Sequence, residues 1–262
     1  MLKICILIIN ILLVNACTVK NNSVKRNSFI PINKEENSDF QSSVFAIVKY
    51  SYNKLGDDIL QGGICGTAFS VNDSTILTAN HIMDSIFFPN KRYSFVQLFL
   101  LKRGTKTIIE FTKEDIKILP EIDIAVIKCK NKFKNTIVLS EQDVKINDSV
   151  FSYGHVANMN PVTAAHWGNK LILDNYSLDE YKSDNVGTVV LARKITVRSL
   201  DVNVSDKMFY KTSFIGNVGM SGGPLFSNNK LIGLMSFGLP VDKIIKTEVF
   251  AISVNEIIKS IK

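Results

Sequence analysis

From about residue 44 to residue 253 the chain is a succession of short β-branched and aromatic runs broken by turn residues, and no other feature restricts the fold as much. Residues 44–52, 63–71, 74–81, 94–101, 107–112 and 123–129 read as strands in the first half. Residues 149–153, 170–173, 187–200, 208–212, 224–226, 230–237 and 248–253 do so in the second. Asn72-Asp73 falls between two of these runs and reads as a hairpin turn. So many short strands at regular intervals argue for barrels or a sandwich rather than an α/β sheet. Two sets of six or seven strands suit two small barrels, about 42–140 and 141–262, with a cleft between them. At the end, Val254, Ile257, Ile258 and Ile261 recur at helical spacing, so residues 254–262 are expected to close the chain as a short helix.

Composition supports a packed core: 46% of the 262 residues are hydrophobic and 21% charged. The net charge of +7 comes from 31 basic and 24 acidic residues scattered along the chain. Short runs such as Lys102-Arg103 read as solvated strand ends, so a nucleic-acid partner is not expected, although acidic surfaces or substrates would be favoured.

The N-terminus reads as a separate signal. Met1-Leu2-Lys3 precedes eleven residues of apolar run, Ile4 to Val14, and then Asn15-Ala16-Cys17. Such a run is too short for a bilayer, which takes roughly 20 residues. Residues 1–16 are therefore expected to direct export. Leu13-Val14-Asn15-Ala16-Cys17 resembles the bacterial lipoprotein box, which implies lipidation of Cys17 and a membrane anchor in the cell envelope; ordinary cleavage after Ala16 is the alternative. Residues 17–41, rich in Asn, Ser and Lys, would form a flexible tether. Of four cysteines, Cys65 and Cys129 remain in the folded part; export permits a disulfide, but two buried free thiols are the preferred reading. Neither CxxC nor HExxH spacing occurs, so no metal or other cofactor is expected.

Acyl transfer from a peptide bond needs a nucleophile, a base, a group that orients the base, and donors for the oxyanion. Gly219-Met220-Ser221-Gly222-Gly223-Pro224 offers a serine framed by glycines, whose backbone freedom can aim the N–H groups of Gly219 and Ser221 at one point. Ile76-Leu77-Thr78-Ala79-Asn80-His81 places a histidine at a strand end behind small residues. In Ile122-Asp123-Ile124-Ala125-Val126-Ile127 an acid opens an apolar strand, where a bare carboxylate would be costly without a partner.

Together these segments resemble the chymotrypsin-like serine proteases over about residues 42–262, nearest to the high-temperature-requirement and glutamyl-endopeptidase branches. The resemblance implies two six-stranded antiparallel Greek-key barrels and a serine endopeptidase, with Ser221 as nucleophile, His81 as general base and Asp123 orienting it. Gly233-Leu234-Met235-Ser236-Phe237-Gly238 is similar to the strand that pairs with substrate, in which the serine supports the aspartate. Ile215, Phe237 and Phe250 then suggest an apolar pocket, with Gly238 leaving room for the substrate backbone. Met220 stands where the trypsin branch has the acid that pairs with a newly cut N-terminus, so activation by a propeptide is not expected. The expected partners are a peptide substrate and the membrane, with the protein itself monomeric.

Three competing readings fit parts of the sequence. Thr163-Ala164-Ala165-His166-Trp167 matches the family's histidine motif more literally, but it follows Asp123 and lacks a preceding hairpin. His166 is therefore read as structural and His155 as a loop residue. Gly219-Met220-Ser221-Gly222-Gly223 also fits an esterase elbow as letters, yet that fold runs serine, acid, histidine. An inactive protease-fold binding module is the remaining alternative.

Overall fold

The structure, a computed structural model, describes residues 40–52, 59–87, 95–102, 107–130, 132–157, 164–167, 170–173, 181–199, 202–240 and 246–261. Cys17, the signal segment and nearly all of the tether lie outside them.

In the first half the described strands are β1 (Val44–Tyr52), β2 (Ile59–Asn72), β3 (Thr75–Ala79), β4 (Phe95–Lys102), β5 (Ile108–Glu110), β6 (Ile116–Leu119) and β7 (Ile124–Lys128). They form one antiparallel sheet in the order β5-β4-β1-β2-β3-β7-β6. The strand beyond the expected six is β6, four residues long with exposed Lys117 and Ile118, which runs directly into the helical turn Pro120–Ile122 before β7. The β2–β3 hairpin turns at Asp73-Ser74, where Ser74 N–H donates to Asn72 Oδ1 at 3.0 Å, one residue later than the sequence suggested.

The second half contains β8 (Ser149–His155), a separate two-stranded pair β9 (Ala164–Trp167) and β10 (Lys170–Leu173), then β11 (Lys182–Arg198), β12 (Asn203–Asn217), β13 (Pro224–Ser227), β14 (Lys230–Pro240) and β15 (Lys246–Ser253). Six of them close a barrel, β11-β12-β15-β14-β13-β8. The β13–β14 hairpin turns through Asn228 and Asn229 at φ 48 and 57, the left-handed pair that matches strand twist and that asparagine tolerates.

Both halves make the same Greek-key jump. After β3 the chain leaves for β4 on the far side of β1, and after β12 it crosses to β13 beside β8. Each crossing carries a candidate residue, His81 in the first and Ser221 in the second. The two halves share a core: Phe45, Phe69 and Leu77 pack in one cluster with Phe209, Phe226 and Ile252. A smaller cluster, including Val150, Val189, Leu225 and Ile232, fills the second barrel alone. Helix α1 (Asn80–Phe87) starts where a strand was expected to run on to His81. Helix α2 (Val254–Ile261) buries Val254, Ile257 and Ile258, each worth roughly 1.5–3 kcal/mol.

Candidate active site

Strand pairing brings the acid to the histidine. Ala79, the last residue of β3, lies opposite Ile124, the first of β7, so the residues flanking that pair face each other. Asp123 takes the left-handed conformation, φ 54 and ψ 41, which a short polar side chain tolerates. Both of its acceptors thereby meet the start of α1: Asn80 N–H donates to its carbonyl at 3.0 Å, and His81 N–H to Oδ1 at 2.9 Å. The helix N-terminus is capped by a residue over forty positions away, which explains why no local signal announced a helix there.

The same carboxylate holds the imidazole. His81 Nδ1 lies 3.1 Å from Oδ1 and 3.0 Å from Oδ2. From the second barrel, Ser236 on β14 donates its hydroxyl to Oδ2. Asp123 is 1% exposed and Ser236 wholly buried, so the charge is kept from water and compensated by donors alone. A carboxylate at Nδ1 fixes that nitrogen as the N–H and leaves Nε2 as the acceptor.

Ser221 follows a tight turn. Met220 N–H donates to Asn217 O at 3.2 Å, and Gly219 within that turn has φ +100, open only to glycine at low cost. A Cβ on Gly219 would strike the backbone of residues 155–157. The carbonyl of Val218 is held outward by Ala157 N–H at 2.6 Å. Because the peptide is planar and trans, the Gly219 N–H must point the opposite way. Likewise Met220 O accepts from Gly223 N–H at 2.9 Å, which turns the Ser221 N–H away from it. Between Gly219 and Gly223 the N–H groups of Met220, Gly222 and Gly223 are all donated, whereas those of Gly219 and Ser221 go to no described residue. Two such amides beside one hydroxyl form an anion-binding point.

Gly222 presses against Thr67, Thr78 and the N–H of Ala79, two residues before His81. The loop that carries Ser221 thus sits on the end of β3. No hydrogen bond joins Ser221 Oγ to His81 among the described residues, a contact that in such sites commonly tightens only with substrate.

A shallow, solvent-open recess runs along Ser221 and Ser236, walled by Asn217, Met220, Met235, Phe237, Gly238 and Val249. Of the residues expected to meet substrate, Ser236, Phe237 and Gly238 line this recess, and Ile215 and Phe250 do not. On β12 the inward residues are Thr212, Phe214 and Gly216, so Ile215 points outward and is 42% exposed. On β15 it is Val249 that faces the recess, while Phe250 turns the other way and stacks on Phe237 with ring centroids 4.8 Å apart. Asn217, Met220, Met235 and Val249 were the lining residues the sequence did not announce, and strand parity was the signal for Val249.

The other candidates separate clearly. His155 is fully buried at the end of β8, not on a loop. His166 lies on β9 opposite Leu171, and its side chain is outside the described residues. Cys65 and Cys129 are both free thiols. Burial pushes Cys65 up to about 12 and Cys129 up to about 11, so neither is a nucleophile near neutrality. Among the described residues no cluster of three His, Cys, Asp or Glu side chains could hold a metal ion.

Double-barrel architecture and this cleft define the class of the trypsin-like serine proteases. The family described as Trypsin matches residues 41–261, and the chain belongs to it. Solved structures agree on the fold. The inactive form of the Rv3671c protease is 15% identical with a TM-score of 0.53, over 86% of this chain and 90% of that one. Deg5 is 19% identical with a TM-score of 0.54, over 87% and 94%. The HtrA-type protease AlgW, solved with a tripeptide, is 19% identical with a TM-score of 0.55, over 86% of this chain and 62% of its own. No curated protein matches the sequence.

Proposed function

We propose that this serine protease hydrolyses peptide bonds through Ser221, His81 and Asp123. In this reading Ser221 Oγ attacks the scissile carbonyl while His81 Nε2 takes its proton. The oxyanion that forms accepts from Gly219 N–H and Ser221 N–H. His81 then returns the proton to the leaving amine, and a water activated by the same nitrogen releases the acyl group from Ser221. Asp123 keeps the proton on Nδ1 and stabilises the imidazolium, supported by Ser236. The observation that carries the reading is the loop around Ser221, in which the two amides that would meet an oxyanion, unlike the other three N–H groups, donate to no described residue.

The test is covalent labelling by a fluorophosphonate. Folded wild-type protein should label at Ser221, and Ser221→Ala should abolish labelling without lowering the melting temperature. A folded wild type that never labels would favour the binding-module reading.

The recess suggests the residue accepted before the cut bond. Its described walls carry amide, hydroxyl, thioether and hydrocarbon groups but no charge, and it is shallow. Small and medium uncharged side chains should be preferred, with weak discrimination among aliphatic ones, since a methylene is worth about 1–3 kcal/mol. Export and lipid anchoring through Cys17 belong to the same proposal and rest on residues 1–17 alone. Cys17→Ser should move the protein out of the membrane fraction; an unmodified Cys17 in the wild-type protein would point to ordinary secretion.

A further inference from the structure

The residue before the nucleophile raises a question of restraint. Gly219 offers no steric resistance to a flip of the Val218–Gly219 peptide, and that flip would turn its N–H away from the oxyanion. Met220 carries no charge that could pin the loop. Its sulfur is buried among Ser183 Oγ at 3.2 Å, Asn185 Nδ2 at 3.4 Å and Asn217 N–H at 3.2 Å, but a thioether is a weak acceptor. Val218 O and Met220 O are held by Ala157 N–H and Gly223 N–H, which leaves the carbonyl between them, Gly219 O, to be restrained.

That restraint comes from the first sheet. Thr67, on β2 and wholly buried, donates its hydroxyl to Gly219 O at 2.8 Å and its N–H to Ser221 O at 2.9 Å. The hydroxyl also accepts from His155 N–H at 3.0 Å, on the strand whose continuation anchors Val218 through Ala157. With an acceptor on one side and a donor on the other, the hydroxyl proton has one direction to point, toward Gly219. Thr78 Oγ1 in turn donates to Thr67 O at 2.7 Å, two residues into the strand end that leads to His81.

We propose that Thr67 is a positioning residue for the oxyanion hole: its hydroxyl clamps the Gly219–Met220 peptide, the unit between the two that present the donors. A change in ψ of Gly219 that φ of Met220 does not cancel would turn the two flanking peptides relative to each other, and fixing the Gly219 carbonyl removes that freedom. The clamp also makes the hole depend on how the two halves of the molecule are packed, since Thr67 lies in one and the loop in the other. The inference rests on the triad reading above.

Thr67→Val keeps the shape and removes the hydroxyl, and Thr67→Ser keeps the hydroxyl and removes the methyl. If the clamp sets the hole, Thr67→Val should lower kcat roughly 10–100-fold, less than outright loss of an oxyanion donor, with KM changed less than about threefold. Affinity for a peptidyl boronate, whose tetrahedral adduct places an oxygen in the hole, should fall by the same factor. Binding of an uncleaved peptide in the Ser221→Ala background should not change. Thr67→Ser should restore kcat and boronate affinity to within about threefold of wild type. If Thr67→Val does not fold, Thr67→Ala carries the same expectations. A folded variant without the hydroxyl that keeps wild-type kcat and boronate affinity would overturn the proposal. So would Thr67→Ser being as impaired as Thr67→Val, which would assign the effect to packing. Wild-type protein that neither labels nor cleaves would instead remove the triad reading on which this one stands.

Discussion

Replacing Asp123 by asparagine changes one atom type, and the consequences can be followed donor by donor. The carboxylate meets His81 N–H at Oδ1, His81 Nδ1 near both oxygens, and the Ser236 hydroxyl at Oδ2. An asparagine has one acceptor and one donor group to set against these. Placing its NH₂ at the Oδ1 position would point it at His81 N–H, a backbone group that can only donate. The amide oxygen is therefore forced to that side, and the NH₂ faces Ser236 Oγ and His81 Nδ1. Ser236 can rotate and accept. Nδ1 can accept only if the imidazole proton moves to Nε2, and an Nε2–H cannot take a proton from Ser221. The fold loses little, since each buried group still has a partner, but the base is in the wrong tautomer. We expect kcat to fall by about 10⁴, equivalent to about 5–6 kcal/mol of transition-state stabilisation, with KM nearly unchanged. The melting temperature should move by less than about 5 °C. Steady-state hydrolysis of a peptide substrate beside a thermal melt separates the two effects. An Asp123→Asn protein within tenfold of wild-type kcat would refute the argument, because no other described residue is placed at Nδ1 to fix the tautomer.

Three further outcomes are expected. His81→Ala should lower kcat by roughly 10⁴–10⁶, because such a triad acts as a unit, whereas His166→Ala should leave it within a fewfold in the same assay. Gly222→Ala should destabilise by about 2–5 kcal/mol, combining a left-handed φ of +84 with a Cβ driven into the Thr67 carbonyl, and a melting curve should show a loss of roughly 5–15 °C. The thiols predict a pH effect: Cys65 and Cys129 hold their protons in the folded state to about 12 and about 11, while an unfolded thiol releases its own near 8.5. Above roughly pH 9 the unfolded chain therefore binds fewer protons than the native one, so stability falls as pH rises. A Cys65→Ala, Cys129→Ala protein should melt with a shallower decline between pH 8 and pH 10, and an equal decline would show that the thiols contribute nothing.

What could be read from the sequence divides along a physical line. Strand periodicity survives tertiary context when a strand is long and one of its faces is apolar, and β1, β2 and β14 were legible for that reason. Length alone does not decide this, since the four-residue β10 and β13 were legible; β6 runs directly into the helical turn Pro120–Ile122 before β7, and β9 reads Ala-Ala-His-Trp with no β-branched residue. The site motifs were legible because their chemistry is local: glycines on both sides of Ser221, small residues before His81, an acid opening the apolar β7. Orientation within a strand was not local. β12 pairs with β15 through a register irregularity between Lys211 and Ile215, and whether Ile215 points into the barrel or out of it depends on where that irregularity falls. The same limit hid Thr67. A threonine in a strand is an ordinary β-former, and its hydroxyl acquires a role only when Gly219, 152 positions later, is folded against it. Asp123 shows both sides at once: its place before an apolar strand marked it as a paired charge, but the left-handed backbone that turns it to cap α1 follows from the β3–β7 pairing. A site assembled from two sheets is thus written locally in its reactive groups and non-locally in their restraints. Substitutions at Ser236, Thr67 and Ala157, none adjacent to a triad residue in sequence, are where a change far along the chain should reach the chemistry.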